Sequence, residues 1–242
     1  MTYFGEVSTT QRTGEGWRIR LCPVCENGLF GSILGKSSVE TQQSTHQRSF
    51  LPGDVIYRKG SRGRSVYAVC KGSVKLEAVT PDGLPRIVRV LQVGDVFGLE
   101  VLSDVSYHHA ATCLGRTQVC EIPADAINDG TLHDAALHQS LMHLWQSNAD
   151  DADVVIAELC TGSSRLRLAR LLLHLTRGHV THTCPTMGRE DMASLLDLTP
   201  ETVSRTMAAF KRSGLVAERS GVMVCDIPGL QRISQGTEAP AG

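Results

Sequence analysis

The sequence predicts an α+β protein: an all-β barrel or sandwich first, one long helix next, and a helix-turn-helix with a winged ending last. Three observations carry this expectation. Between Phe50 and Pro123, β-branched and aromatic runs recur at roughly ten-residue spacing with glycine turns between them. After Pro123 the glycines thin out and the apolar period lengthens to that of a helix. Residues 189–215 hold two short helical patterns on either side of a tight turn.

In order along the chain, residues 1–20 show no periodicity and read as a tail. The β region follows: Val55 to Tyr57, Val66 to Val69, Val74 to Val79, Ile87 to Leu91 and Gln118 to Ile122 are its apolar runs. Turn signals separate them at Pro52-Gly53-Asp54, Lys59-Gly60, Lys71-Gly72, Asp82-Gly83, Gly94-Asp95 and Gly98. Leu137, Leu141, Leu144, Val154, Val155 and Leu159 then predict a long helix over about 132–160. A heptad through 137, 141, 144, 148, 151 and 155 places Asn148 and Asp151 on its seam. That seam suits either a reversible helix pair or a helix lying on its own barrel. Leu166 to Leu175 reads as another buried helix.

In the turn Asp197-Leu198-Thr199, Thr199 can cap the following helix and Pro200 suits its first turn. On that helix Val203, Met207 and Phe210 share one face, while Glu201, Ser204 and Arg205 share another. Arginine, glutamate and serine are side chains that read base edges in a major groove: Arg takes guanine, Glu takes cytosine, and Ser takes either. Thr199 and Thr202, at the same end, complete the expected contact set. Val222 to Cys225 reads as the strand of a wing.

Composition bounds the function. The 242 residues carry 24 Lys plus Arg against 25 Asp plus Glu, for a formal charge of −1, and 41% are apolar. These values fit a globular chain of one or two domains and exclude collagen-like or disordered classes. No run of apolar residues reaches membrane-spanning length and no secretory leader is evident, which predicts a cytoplasmic protein. Residues 1–81, 82–162 and 163–242 carry +5, −9 and +3, so the end bearing the helix-turn-helix is basic. Eight cysteines in such a chain point to metal or redox chemistry more than to a disulfide framework.

The β region, the long helix and the winged helix-turn-helix together resemble the Crp/Fnr family of bacterial transcription regulators over about residues 45–235. Two motifs look closest to its Fnr-like branch: Glu201-Thr-Val-Ser204-Arg205, and Val119-Cys120-Glu-Ile-Pro123. The resemblance implies an N-terminal β-roll, a cyclic-nucleotide-binding-like jelly roll. Its implied boundaries are a tail with a cysteine segment at 1–44, a sensor roll at 45–131, a dimerisation helix at 132–160 and a winged helix-turn-helix DNA-binding domain at 161–242. It further implies a homodimer, a palindromic double-stranded DNA target with TTGAT-type half-sites, and RNA polymerase as a partner. In such a dimer Asp150, Asp151 and Asp153 would approach their symmetry mates and oppose association.

Family members that sense cyclic AMP hold its phosphate with an arginine, where this chain reads Tyr107-His108-His109 after Gly98-Leu99-Glu100. Without a guanidinium the phosphate loses its bidentate partner. The Fnr-like branch implies an oxygen-labile iron–sulfur cluster instead, of the 4Fe-4S kind, and Cys22, Cys25 and Cys120 match its ligand positions. The branch expects one more cysteine soon after the C-x-x-C, and Glu26 to Ser32 has none. If Gly115-Arg116 makes a hairpin, Cys113 stands across from Cys120 as the fourth ligand; Cys70 is another candidate. Cys160, Cys184 and Cys225 read as packing residues.

Alternatives with the same DNA-binding function are a thiol/disulfide switch and a haem sensor using His108-His109. Enzyme readings fare worse. A cupin-type metal site needs H-x-H spacing, a thioredoxin-like C-x-x-C needs a βαβ context, and no P-loop or G-x-S-x-G is present. The expectation is a non-enzyme.

Overall fold

The computed structural model describes residues 10–13, 16–19, 46–133, 135–176, 182–219 and 222–236. It divides into two units, one of residues 1–76 with 90–148 and one of residues 77–89 with 149–242. Among the described residues no helix is long and apolar enough to cross a membrane.

The first unit opens with a hairpin, β1 (Thr10–Thr13) against β2 (Gly16–Ile19), with Thr13 opposite Gly16. The tail expected over residues 1–20 therefore contains paired strands.

The roll consists of two antiparallel sheets. One has the order β3-β10-β5-β8, built from His46–Phe50, Thr117–Pro123, Ser65–Lys71 and Val96–Phe97. The other has the order β4-β9-β6-β7, from Val55–Tyr57, Ala110–Cys113, Val74–Val79 and Pro85–Leu91. The expected apolar runs supply the core: Val66, Val69, Val74, Ile87, Leu91, Phe97, Val119 and Ile122 are all almost fully buried. Gly72 takes a φ of 83°, and a Cβ there would lie 2.4 Å from the Arg116 carbonyl oxygen, so both conformation and space demand glycine.

Pro123 leads directly into α1 (Ala124–His133) and then α2 (Ala135–Val154), which continues as a π turn, Val155–Leu159. The expected helix over 132–160 is thus α2 plus this turn. Leu137 and Leu141 are buried within the chain's own fold. The heptad through 137 and 141 is therefore, at that end, a face that the chain itself covers.

In the second unit α3 (Ser164–Leu175) is capped by Ser163 and buries Leu168, Leu171, Leu172 and Leu175. A three-stranded sheet of order β11-β13-β12 is formed by Thr183–Pro185, Val222–Cys225 and Val216–Arg219. Around it lie α4 (Arg189–Leu196), α5 (Pro200–Arg212) and α6 (Ile227–Ser234). The core of this unit is Val203, Met207 and Phe210 of α5 with Met192, Leu195 and Leu196 of α4 and the leucines of α3.

Candidate nucleic-acid interface

The turn between α4 and α5 is fixed at several atoms. Asp197 adopts the left-handed conformation at φ 56°, ψ 50°, which a short polar side chain tolerates. The Arg167 guanidinium donates to the carbonyls of Leu196 at 3.1 Å and Asp197 at 3.3 Å, satisfying acceptors that the end of α4 leaves open. Arg86, on the hairpin segment of the same unit, meets the Asp197 carboxylate at 3.0 Å. The Ser194 hydroxyl accepts from the Ile87 amide at 2.9 Å.

Helix α5 then starts as the sequence predicts. The Thr199 hydroxyl oxygen accepts from the Thr202 amide at 3.3 Å and donates to the Thr202 hydroxyl at 3.0 Å, and Pro200 occupies the first turn. Both threonines expected among the DNA contacts thus take part in the cap. Thr199→Ala is expected to cost about 1 kcal/mol through the lost cap. A shift of the urea midpoint with unchanged slope is the check.

With Val203, Met207 and Phe210 fully inward, Glu201, Ser204 and Arg205 are left exposed together on the N-terminal half of α5. Sequence reading missed part of this surface. Lys211 pairs with Glu218 of β12 at 2.8 Å, tying the end of α5 to the wing, and that pair holds the Glu218 carboxyl below its usual range. Arg212 and Arg219 are exposed nearby in the chain, adding positive charge suited to phosphates. The bracing residues Arg86 and Arg167 lie far from the motif in sequence, so no local pattern marks them.

Along α2 an apolar stripe runs through Met142, Trp145, Ala149, Ala152 and Ile156 at alternating three- and four-residue steps. Met142 is 45% and Ile156 69% exposed. This stripe, offset from the heptad that contains Leu137 and Leu141, is the spacing of a coiled-coil seam.

Inside the roll, Tyr57 stacks on Tyr107 with centroids 3.7 Å apart, and Tyr67 and Phe97 complete an aromatic cluster. The Tyr107 hydroxyl donates to the Ser65 carbonyl at 2.8 Å. Glu100, the carboxylate after Gly98, accepts from the His108 amide at 3.2 Å. His108 and His109 lie in the loop before β9 rather than in a strand, and His108 pairs with Asp104 at 2.8 Å.

Cys22 and Cys25 lie outside the described residues. Cys120 is buried on β10, opposite Ala68 of β5 and Gln47 of β3, on the side away from the Tyr67–Glu121 contact. Cys70 falls at the register shift of β5, between Val69, opposite Val119, and Lys71, opposite Gln118, with its thiol 3.7 Å from the Ala68 carbonyl. Cys113 stands elsewhere. β9 and β10 belong to different sheets, so the two strands form no hairpin ladder and Cys113 does not face Cys120 across one. Among the described residues no three His, Cys, Asp or Glu side chains converge as a metal site.

Burial pushes the Cys113 thiol up to about 11. A thiol whose folded value exceeds its unfolded value of 9.0 contributes nothing to pH dependence below the latter, because both states hold the proton. As pH rises from 9.0 toward 11, only the unfolded state loses it and stability falls. Cys113→Ala is expected to flatten that decline, read as the difference in urea midpoints between the two proteins at pH 8 and about pH 10.5.

Comparison with known proteins agrees with these two halves. A model described as "Cyclic nucleotide-binding domain" matches residues 47–131, and one described as "Crp-like helix-turn-helix domain" matches residues 166–233. The chain is 28% identical over 171 residues to the fumarate and nitrate reduction regulatory protein of Escherichia coli (strain K12), covering 68% of each chain. It is 26% identical over 223 residues to the regulatory protein HlyX of Actinobacillus pleuropneumoniae, covering 87% of this chain and 92% of that one. The structure of FixK2 from Bradyrhizobium japonicum superposes with a TM-score of 0.71 at 25% identity, covering 82% of this chain and 99% of that one. The two family models fall on the roll and on the helix-turn-helix described above, the relatives and the superposed structure span both, and the chain belongs to the Crp/Fnr family of DNA-binding transcription regulators, in its Fnr-like branch.

Proposed function

We propose that this regulator senses oxygen, nitric oxide or cellular redox state through an iron–sulfur cluster held by Cys22, Cys25 and Cys120, and binds a TTGAT-type palindrome as a cytoplasmic homodimer that contacts RNA polymerase. In this reading residues 45–131 are the sensor, 132–160 the dimerisation helix and 161–242 the DNA-binding domain, with Glu201, Ser204 and Arg205 as base-reading residues. No catalytic role is proposed.

The observation that carries the sensor reading is the place of Cys120. Gln47 pairs with Cys120 and His46 with Glu121, so the chain preceding β3 joins the sheet one rung from this thiol. The 21 residues from Cys25 to His46 could span up to about 70 Å, ample to bring the C-x-x-C back to it. Cys70, on β5, the strand that pairs with Cys120's own strand, is the favoured fourth ligand. The cluster, when bound, supplies a centre that oxygen or nitric oxide destroys.

The chain's own contribution is mechanical. β10 carries Cys120 and runs through Pro123 straight into α1 and α2, so a ligand fixed at Cys120 restrains the strand that sets where the long helix begins. The switch requires the ligated state to favour the dimer-competent arrangement of that helix. Cyclic nucleotide is not the proposed effector, because the Tyr57, Tyr67, Tyr107 and Phe97 rings pack the roll and the Glu100 carboxylate is already engaged.

The test is anaerobic purification followed by an absorbance spectrum with iron and sulfide analysis, repeated in air. About four irons per chain and bleaching in air support the cluster, and Cys22→Ser should lose both. A colourless, iron-free protein that still shifts palindromic DNA overturns it and favours the thiol switch.

A further inference from the structure

We propose that Cys184 and Cys225, in the sheet behind the recognition helix, are a thiol–disulfide pair oxidised by a hydroperoxide, and that closing it weakens DNA binding. The inference rests on the DNA-binding assignment and does not depend on a cluster at Cys22, Cys25 and Cys120.

In the β11–β13 ladder Cys184 stands opposite Met223, and the Cys225 amide donates to the His182 carbonyl at 3.0 Å. The two cysteines are therefore diagonal neighbours on one side of the ribbon. Both are buried, at 1% and 5% exposure, and their sulfurs lie 3.9 Å apart. A disulfide needs about 2.05 Å, so the sulfurs must close by about 1.9 Å. Among the described residues the sheet order β11-β13-β12 gives β11, three residues long, one neighbouring strand, and a short edge strand is the element best able to move by that amount and to open briefly to a small oxidant.

The contact also divides the roles. At 3.9 Å either thiol can donate to the other sulfur; with Cys184 as donor the contact favours the Cys225 thiolate and holds the proton on Cys184, and this assigns Cys225 the attacking role. The Cys225 thiolate attacks one oxygen of the hydroperoxide, the O–O bond breaks, and the expelled oxygen leaves as water or alcohol after taking a proton. The sulfenic acid so formed is attacked by the Cys184 sulfur. The S–S bond forms, the S–O bond breaks, and the departing hydroxide takes the Cys184 proton to become water. Two electrons pass from the sulfur pair to the peroxide.

What couples the pair to DNA is the hydrogen-bonded path from Cys225. It pairs with Val216 of β12, and the next residue, Asp226, donates its amide to the Leu215 carbonyl. Leu215 in turn donates its amide to the Phe210 carbonyl near the end of α5. Displacing Cys225 thus pulls on the helix that carries Glu201, Ser204 and Arg205, and base contacts need placement to within about 0.5 Å.

The test treats the full-length reduced protein with hydrogen peroxide, blocks remaining thiols under denaturing conditions, and maps peptides without reduction. A linked peptide pair holding Cys184 and Cys225, cleaved by dithiothreitol, is expected. Affinity for a labelled palindromic duplex should fall roughly tenfold, about one base contact, and recover on reduction. Cys184→Ala should bind DNA normally and keep its affinity after peroxide. Should that variant fail to fold, the mapping and affinity measurements on the wild-type chain still decide. Recovery of the two cysteines as separately blocked or sulfinic peptides, or a disulfide with unchanged affinity, overturns the proposal.

Discussion

Arg205→Ala is expected to abolish selective binding to the palindrome while leaving the protein folded. Arg205 is exposed, so its removal opens no cavity, and the helix that carries it is held from behind by Val203, Met207 and Phe210. A guanidinium bidentate to guanine is worth about 1–3 kcal/mol of discrimination, and a two-fold palindrome uses it twice, for about 2–6 kcal/mol. That is roughly thirtyfold to twenty-thousandfold in affinity. The loss should be specific: a duplex with its guanines replaced should bind wild type and variant alike, and the salt dependence should change little. Arg212→Ala, if Arg212 meets phosphate, should weaken all sequences about equally and lower the salt slope by about one unit. Arg205→Lys is expected to behave nearer to alanine than to wild type, because an ammonium cannot make the planar double contact. Equal losses on matched and altered duplexes in fluorescence anisotropy would remove Arg205 from the base-reading set.

Much of this head was legible from the sequence because its signals are local. Thr199, Pro200 and the Val203, Met207, Phe210 spacing lie within a dozen residues, and the structure realises all of them. The braces were not legible. Arg86 reaches Asp197 across 111 residues and Arg167 reaches the same turn across 30, and side-chain pattern carries no information about such partners. In the roll, the runs rich in Val and Ile were readable, whereas β3 was not, since His46 to Ser49 are polar and exposed and join the sheet through backbone pairing and surface polar contacts such as Arg48 with Glu121 rather than through apolar burial. Helix α1 escaped for a related reason: Ala-Asp-Ala-Ile-Asn-Asp-Gly-Thr-Leu-His offers too few apolar residues to display a period. The cysteines divide the same way. The C-x-x-C is a short-range signal, but the placement of Cys113 in the opposite sheet from Cys120, and the contact of Cys184 with Cys225, depend on strand order.

The long helix shows how the same residues support two readings until burial is known. A seam through Leu137, Leu141, Asn148 and Asp151 suggests acidic side chains held against their symmetry mates. Leu137 and Leu141 are instead covered by the chain itself, and Asp151 lies half-buried on that same side. The apolar positions left open are Met142 and Ile156, in register with Trp145, Ala149 and Ala152. A second copy laid along this stripe would bury them, with alanines at two positions allowing close approach. Met142→Glu combined with Ile156→Glu is therefore expected to convert the dimer to a monomer, since each charge would be desolvated against its own copy in the partner. Asp151→Ala should leave the dimer unchanged. Because two heads joined by short helices bind one palindrome with the avidity of a tethered pair, losing the dimer should cost about 10²- to 10⁴-fold in palindrome affinity. Binding to a single half-site should stay as it was. Sedimentation equilibrium gives the association state and anisotropy the affinity. A dimer that survives the double glutamate but is altered by Asp151→Ala would return the interface to the inner heptad.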